Sequence, residues 1–474
     1  MQFFKDISIQ YYLYSAYAIV LLIGVILGLI TGIYPLMALP LGLLVVYVAV
    51  VDFRKIFYLL IACIPFSTEI HIPGAFSVNL PSEPLIIGLT LICIFYVLGN
   101  LKTINGRFFR HPLMLVLLLH LSWMFIATLN SELFLVSVKF FAAKIWYVLV
   151  FVVLTGILIK SEKDFRKLFW WFFIPLLITI CIVVIRQSAS GFSLKDSHRA
   201  MQPFYHNHVV YAALLSLFLP YILVAQAWYK RWSQTWWMVI IGGAIILIGI
   251  QLSYTRTAYV ALMMGLGAYV AIRLRLVKVA VGLGLVAVLA GVIYLAHDNK
   301  YLDYAPNYET MISHYDFNSL LEATYKMEDI STMERVYRWV AAVQMSKEEL
   351  LTGFGPGNFQ NFYQQYTVSS FETYVSDNPE RSGIHNYYLM MLTDQGISGL
   401  IIFLILTVVI LVKGEQIYHN CPSPTRRHVI IAALVSLVII DAFLIINDLI
   451  ETDKVGAFFF MNIALLINCE VEEF

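Results

Sequence analysis

Apolar residues run through this chain in long blocks, separated by short charged connections. A helix crossing a bilayer needs about 20 mostly apolar residues. Blocks of that kind lie near 12–31, 33–51, 55–66, 83–99, 112–129, 140–160, 167–186, 205–227, 235–252, 255–272, 277–296, 386–413, 427–447 and 454–469. The third is short enough to be re-entrant or broken, so the pattern predicts an all-α polytopic protein of twelve to fourteen spans. The first block is too long for a cleaved signal peptide, lacks a small-residue cleavage site and is followed at once by another span. One segment departs from the pattern: residues 297–384 are an 88-residue polar stretch with 13 acidic and 6 basic side chains. Inside it, Ser331 and Glu334 have the spacing of a capping box. Val336, Val340 and Val343 follow at i, i+4 and i+7, one apolar stripe, and Gly353 suits a helix end. These signals predict an amphipathic helix at about 332–351, lying on the membrane surface. The expected organisation is a single integral membrane domain. Its parts are an N-terminal helix bundle (1–296), a large loop (297–384) and C-terminal helices (385–474).

Basic residues then orient the chain, because short cytoplasmic loops are enriched in Lys and Arg. Lys5, Arg54, Lys55, Lys102, Arg107, Arg110, Lys160, Lys163, Arg166, Lys167, Lys230, Arg231, Arg273, Arg275, Lys278, Lys413, Arg426 and Arg427 all fall on one side of a fourteen-span path. That side is assigned as cytoplasmic. Both termini are then cytoplasmic and the 297–384 loop lies on the outer side.

Composition narrows the class. Hydrophobic residues are 60% of the chain and charged ones 13%, against roughly half and roughly a quarter in soluble domains. A cytosolic enzyme and a disordered chain are both excluded. A net charge of +1 gives no basic excess for nucleic acid. The five cysteines lack CxxC or zinc spacing and read as small hydrophobes.

Four polar clusters fall on the outer face. Ser253-Tyr254-Thr255-Arg256-Thr257 joins two spans with almost no loop, which puts Arg256 at the membrane boundary. A guanidinium there is either an anion clamp, since its fork matches phosphate oxygens, or an interfacial side chain snorkelling to headgroups. Arg335, Arg338 and Trp339 share a face of the loop helix, as a second phosphate contact or as a solvated charged face with an interfacial Trp. His385-Asn386 opens the span after the loop, where a neutral imidazole could take a proton from a hydroxyl or merely satisfy a helix start. Asp394, nine residues on, falls on the opposite face of that helix. Asp448, Glu451 and Asp453 are freer to orient His385. The fourth cluster runs from Ser197 to His208 and holds Arg199, a further phosphate candidate, and Asn207. Its His206-x-His208 pair has no accompanying carboxylate or Cys, so no metal is expected. Gly353-Phe-Gly-Pro-Gly357 lacks the Lys-Ser/Thr of a phosphate-binding loop and reads as a turn ending the amphipathic helix.

In their order these stretches resemble the O-antigen ligase and polymerase superfamily of bacterial envelope proteins. The matching stretches are Ser253-Tyr-Thr-Arg256, Arg335-x-x-x-Trp339, Leu351-Thr-Gly-Phe-Gly-Pro-Gly-Asn-Phe359 and His385-Asn-x-Tyr-Leu…Gly396-Ile-Ser-Gly399, with Arg199…Asn207 upstream. The resemblance spans residues 197–400; the first 190 match as membrane spans alone. It implies a GT-C-like fold and metal-independent, inverting glycosyl transfer on the periplasmic face, with no cofactor. The implied donor is a glycan on undecaprenyl diphosphate, and the acceptor is a lipid A–core sugar or another lipid-linked glycan. Carried over residue by residue, His385 is the base on the acceptor hydroxyl. Arg256 and Arg335 hold the diphosphate, with Arg199 and Arg338 as further contacts and Asn386, Tyr254, Trp339 and Asn207 in support. A ligase is expected first and a polymerase second; a protein acceptor is third. A transporter using Asp394 and Asp441 as coupling sites is the reading from another class, set against polar residues that gather at one face and no repeat of interrupted helices.

Overall fold

A computed structural model describes residues 2–31, 39–71, 77–102, 104–305, 330–373, 376–378 and 382–472. Residues 306–329 of the expected loop lie outside that set. Internal contacts divide the chain into Met1–Ile61 and Ala62–Phe474. Among the described residues the fold is all-α but for one antiparallel strand pair, β1 (Thr68–His71) and β2 (Ser77–Leu80). The long helices are α1 (Gln2–Thr31), α2 (Leu39–Cys63), α3 (Ser82–Gly99), α4 (Pro112–Leu129), α5 (Phe134–Leu158) and α6 (Glu162–Ala189). After the short α7 (Leu194–Met201) come α8 (His208–Ala225), α9 (Gln234–Leu252), α10 (Arg256–Arg273) and α11 (Val277–Ala296). The loop helix is α12 (Ile330–Met345), and α13 (Tyr387–Asn420), α14 (Pro424–Leu444) and α15 (Asp453–Val471) complete the chain.

The described part of each of the fourteen apolar blocks falls on a helix, the second and third sharing α2, which breaks at Asp52 (φ −157°, ψ 89°). The charged Asp52-x-Arg54-Lys55 stretch marks that break, and the Asp52 side chain accepts from Arg54 N at 3.2 Å. Ten helices among the described residues are long and apolar enough to cross a membrane by length and composition. The 18-residue α10 is not among them, because Arg256 and Arg273 stand at its two ends. Apolar side chains also face outward. Leu283, Val286, Leu289 and Ile293 of α11 are all exposed, a surface suited to lipid and not to water. The chain is a multi-pass membrane protein.

Helix starts follow local chemistry. Ser161 and Asp164 form a capping box on α6. Asn207 caps α8, Asn386 caps α13 and Thr452 caps α15, each side-chain oxygen meeting amides the first turn leaves unpaired. Within the second unit the connections gather at two ends. At one, Glu470 meets His111 Nε2 (2.6 Å) and Lys413 Nζ (2.9 Å). Glu472 meets Asn105 Nδ2 (3.1 Å) and Lys160 Nζ (3.8 Å) there, and its backbone oxygen accepts from Arg426. These are connections whose basic residues were assigned to a single side. The other end holds the outer clusters.

The loop helix differs from expectation in three respects. It ends at Met345, not near 351, and the charged 347–349 stretch continues as turns. The residues it buries are Met333, Tyr337, Ala341 and Met345, with Ala342 beside them; Val343 is exposed. That face packs on Phe354, Phe359, Tyr363, Phe371 and Ile384, a core belonging to the loop itself. Ser331 lies inside the helix, and no capping box forms with Glu334. The Glu334 carboxylate instead pairs with Arg338 (3.2 Å) and accepts from the hydroxyls of Thr373 and Ser376.

Candidate active site

His385 is held from both sides. Upstream, Arg338 donates to Gly383 O (3.4 Å) and Trp339 Nε1 to Ile384 O (3.1 Å). Downstream, Asn386 caps α13 by accepting from Leu389 N at 3.0 Å. Between these anchors His385 takes a left-handed backbone conformation, φ +54°. Such a conformation persists in a non-glycine residue where its surroundings over-determine it. A Cβ on Gly383 would stand 2.6 Å from Asp448 Oδ2, so the strand lies directly against that carboxylate. His385 Nδ1 is 4.0 Å from Asp448 Oδ1, and about 30% of each side chain stays open. Burial, with the Arg335 and Arg338 charges, lowers the His385 pKa to about 3. Burial raises that of Asp448, with Glu451 adding to the rise and Arg338 and Arg335 opposing it. The imidazole is therefore neutral at neutral pH and able to accept a proton.

The cations converge from separate elements. The Arg335 charge acts on His385, on Asp448 and on His208. Arg256, the first residue of α10, also acts on His208. Thr255 Oγ1 donates to His208 O at 3.2 Å, which sets the N-termini of α8 and α10 side by side. Both helix starts add positive potential to the place where the arginines meet. Tyr254 turns the chain into α10 with φ +53° and donates its hydroxyl to Phe192 O at 2.6 Å. The His198 and His208 rings lie 6.3 Å apart. Arg199, next to His198 on α7, is exposed. The Asn207 side chain accepts from Val209 N and Val210 N (3.0 and 2.9 Å), which is a helix-capping role. Arg338 is turned to Glu334 and Gly383, so it shapes the loop beneath His385.

The glycine-rich stretch does not simply end the loop helix. It docks into a break in α13 at Gly396 (φ +69°, ψ −174°). Phe354 N and Gly355 N donate to Thr393 O and Asp394 O (2.9 and 3.0 Å), and Ile397 N to Leu350 O (2.8 Å). Gly357 N donates to Asp394 Oδ2 at 2.9 Å. Gly353, Gly355 and Gly357 all have positive φ, and a Cβ on Gly357 would enter the Phe140 ring. Asp394 is thus the anchor of this loop, about two turns into α13.

A family model described as O-antigen ligase matches residues 241–404. That segment is similar to the O-antigen ligase family. The resemblance read from the motifs therefore stands on an independent match. The matched segment contains Tyr254, Arg256, Arg335, Arg338, Trp339, His385, Asn386 and the docked glycine loop; Arg199 and Asn207 precede it. No curated protein matches the chain. Among the described residues no group of three or more His, Cys, Asp and Glu side chains is arranged to hold a metal ion.

Two buried lysines, Lys144 and Lys454, lie outside the matched segment and did not stand out in the sequence. Lys144 of α5 pairs with Glu451 at 2.5 Å, and Asp453 pairs with Lys454 at 3.3 Å while accepting from Ser82 Oγ. Of the three acidic residues expected to orient His385, Asp448 alone faces it; Glu451 and Asp453 are engaged in these pairs. A lone Lys inside an otherwise apolar block was the one available signal for Lys144.

Proposed function

We propose that the protein transfers a glycan from undecaprenyl diphosphate to a hydroxyl acceptor at the periplasmic face, with inversion and without a metal. His385 takes the proton of the acceptor hydroxyl as it attacks the anomeric carbon, and Asp448 orients the imidazole. Arg256 and Arg335 hold the diphosphate leaving group, with Arg199 entering from α7. The observation that carries this reading is the convergence of Arg256, Arg335 and His385, distant in sequence, around His208 and Asp448. Negative charge develops on the diphosphate as the glycosidic bond breaks. Fixed cations aimed at that charge contribute several kcal/mol in a partly dry site (about 3 kcal/mol for one donor). Neutral His385 beside them suits a base, since a protonated imidazole would compete for the same anion. Lipid A–core is the acceptor favoured by the ligase family match; the membrane supplies the donor's polyprenyl tail with its lipid surroundings.

The test is transfer by purified protein in nanodiscs, given undecaprenyl-diphosphate-linked oligosaccharide with and without lipid A–core. Product on the core, formed from donor only when core is added and abolished by His385→Ala, supports the ligase. A ladder from donor by itself makes the enzyme a polymerase. Full transfer by His385→Ala removes the base assignment.

A further inference from the structure

We infer that Lys144, Glu451 and Tyr387 form a tripod that sets the separation of His385 and Asp448, with Lys144 as its positioning residue. The inference rests on the glycosyl-transfer reading of that site. Lys144 Nζ lies 2.5 Å from Glu451 Oε1 and 3.4 Å from the Tyr387 hydroxyl, which itself donates to Glu451 Oε1 at 3.1 Å. The lysine side chain is 3% exposed, and its ammonium lies 5.8 Å from the ring centres of both Tyr387 and Phe460. A charge this deep persists when paired and hydrogen-bonded in good geometry.

The three legs stand on three elements. Lys144 comes from the wall helix α5, Tyr387 opens α13, and Glu451 closes the 3-10 turn Leu449–Glu451. Tyr387 is two residues from His385. Glu451 is three from Asp448, and Glu451 N donates to Asp448 O at 3.2 Å. The tripod therefore ties together the two backbone segments that carry the facing imidazole and carboxylate. It also supplies the lower anchor of His385, whose left-handed backbone is fixed from above by Arg338 and Trp339. The charged neighbours of the pair are Arg335 and Arg338 from α12, Asp394 from α13, and Glu451, with Lys144 acting on Asp394. Lys144 offsets one of the three carboxylates there.

Tyr387→Phe tests this with little disturbance, since it keeps the ring against Phe403 (4.9 Å between centroids) and removes the hydroxyl. The expected result is a thermal midpoint close to wild type and a donor KM within about twofold. Turnover falls about ten- to a hundredfold, as misplacement by an ångström produces, and the pH profile of kcat shifts. Lys144→Met is expected to lose both stability and turnover, and Lys144→Met/Glu451→Gln to regain stability without turnover. A substrate-free readout runs alongside: disulfide closure in His385→Cys/Asp448→Cys, mapped by mass spectrometry, slows in the Tyr387→Phe background. Wild-type turnover, pH profile and closure rate in Tyr387→Phe would overturn the tripod, as would turnover returning together with stability in the double variant. If wild type fails to turn over this donor, the glycosyl-transfer reading falls, and the closure rate still decides the tripod.

Discussion

His385 has an electrostatic setting unlike that of a free imidazole. Burial and the Arg335 and Arg338 charges hold its pKa near 3, against about 6.5 in an unfolded chain. The unfolded state thus takes up a proton below about pH 6.5 that the folded state refuses, and this residue's contribution opposes folding progressively as pH falls towards 3. For catalysis, the free enzyme's kcat/KM should show no acid limb near pH 6.5. Arg335→Gln removes one repelling cation, so its acid limb should lie at higher pH; a pH–rate profile on the two proteins checks the direction. The same substitution, and Arg256→Ala, should each lower kcat by about 100-fold or more through loss of leaving-group stabilisation. Unchanged donor binding and turnover in Arg256→Ala would end its assignment as a clamp. The individual clusters were legible as polar residues at helix starts. The Asp448 contact was narrowed to three acidic residues, and a through-space distance was needed to choose among them.

At the scale of elements, the loop helix and the glycine loop carry the site. Glu334 and Arg338 are both under 10% exposed, and Glu334 also receives Thr373 and Ser376. Glu334→Ala leaves Arg338 buried without its partner, a loss of about 3–5 kcal/mol for a pair of this kind. Faster amide exchange across 330–345, with α14 and α15 unchanged, is the expected result. Gly357→Ala adds a methyl against Phe140 at φ +79°. Overpacking and left-handed strain together should cost about 2–4 kcal/mol, read as a lower thermal midpoint in detergent. The valine stripe was a partial guide to the buried face of α12: Val336 and Val340 pack at the edge of the loop core and Val343 is exposed, while Tyr337, Ala341 and Met345 take its centre. The Phe354–Phe371 core, not periodicity, chose between them. The glycines read as a turn because their spacing says nothing about a break in another helix.

Over the whole molecule, the charged connections of the second unit collect at one end and the Arg–His clusters at the other. Single cysteines introduced at Lys163 and at Arg199 should react from opposite sides of the membrane. In intact spheroplasts, an impermeant thiol reagent is expected to label position 199 and spare 163. Labelling of both from outside would break the proposed orientation. The described parts of the fourteen apolar blocks match helices almost one for one, and within α2 the charged cluster marks the break at Asp52 that divides the second block from the third.

The sequence by itself determined the helical, membrane-spanning class, the limits of most helices, the grouping of charged connections and the order of the polar motifs. These follow from properties local along the chain: block length against bilayer thickness, side-chain caps on unpaired amides, and charge in short connections. Tertiary structure decided which face of α12 is buried, that Asp394 anchors the glycine loop, that Thr373 and Ser376 join the Glu334–Arg338 pair, and that Lys144 reaches Glu451 from 307 residues away. Each is a choice between groups of equal local merit, made by packing and by the need of buried charge to find a partner. Those terms exist once distant segments share the same space.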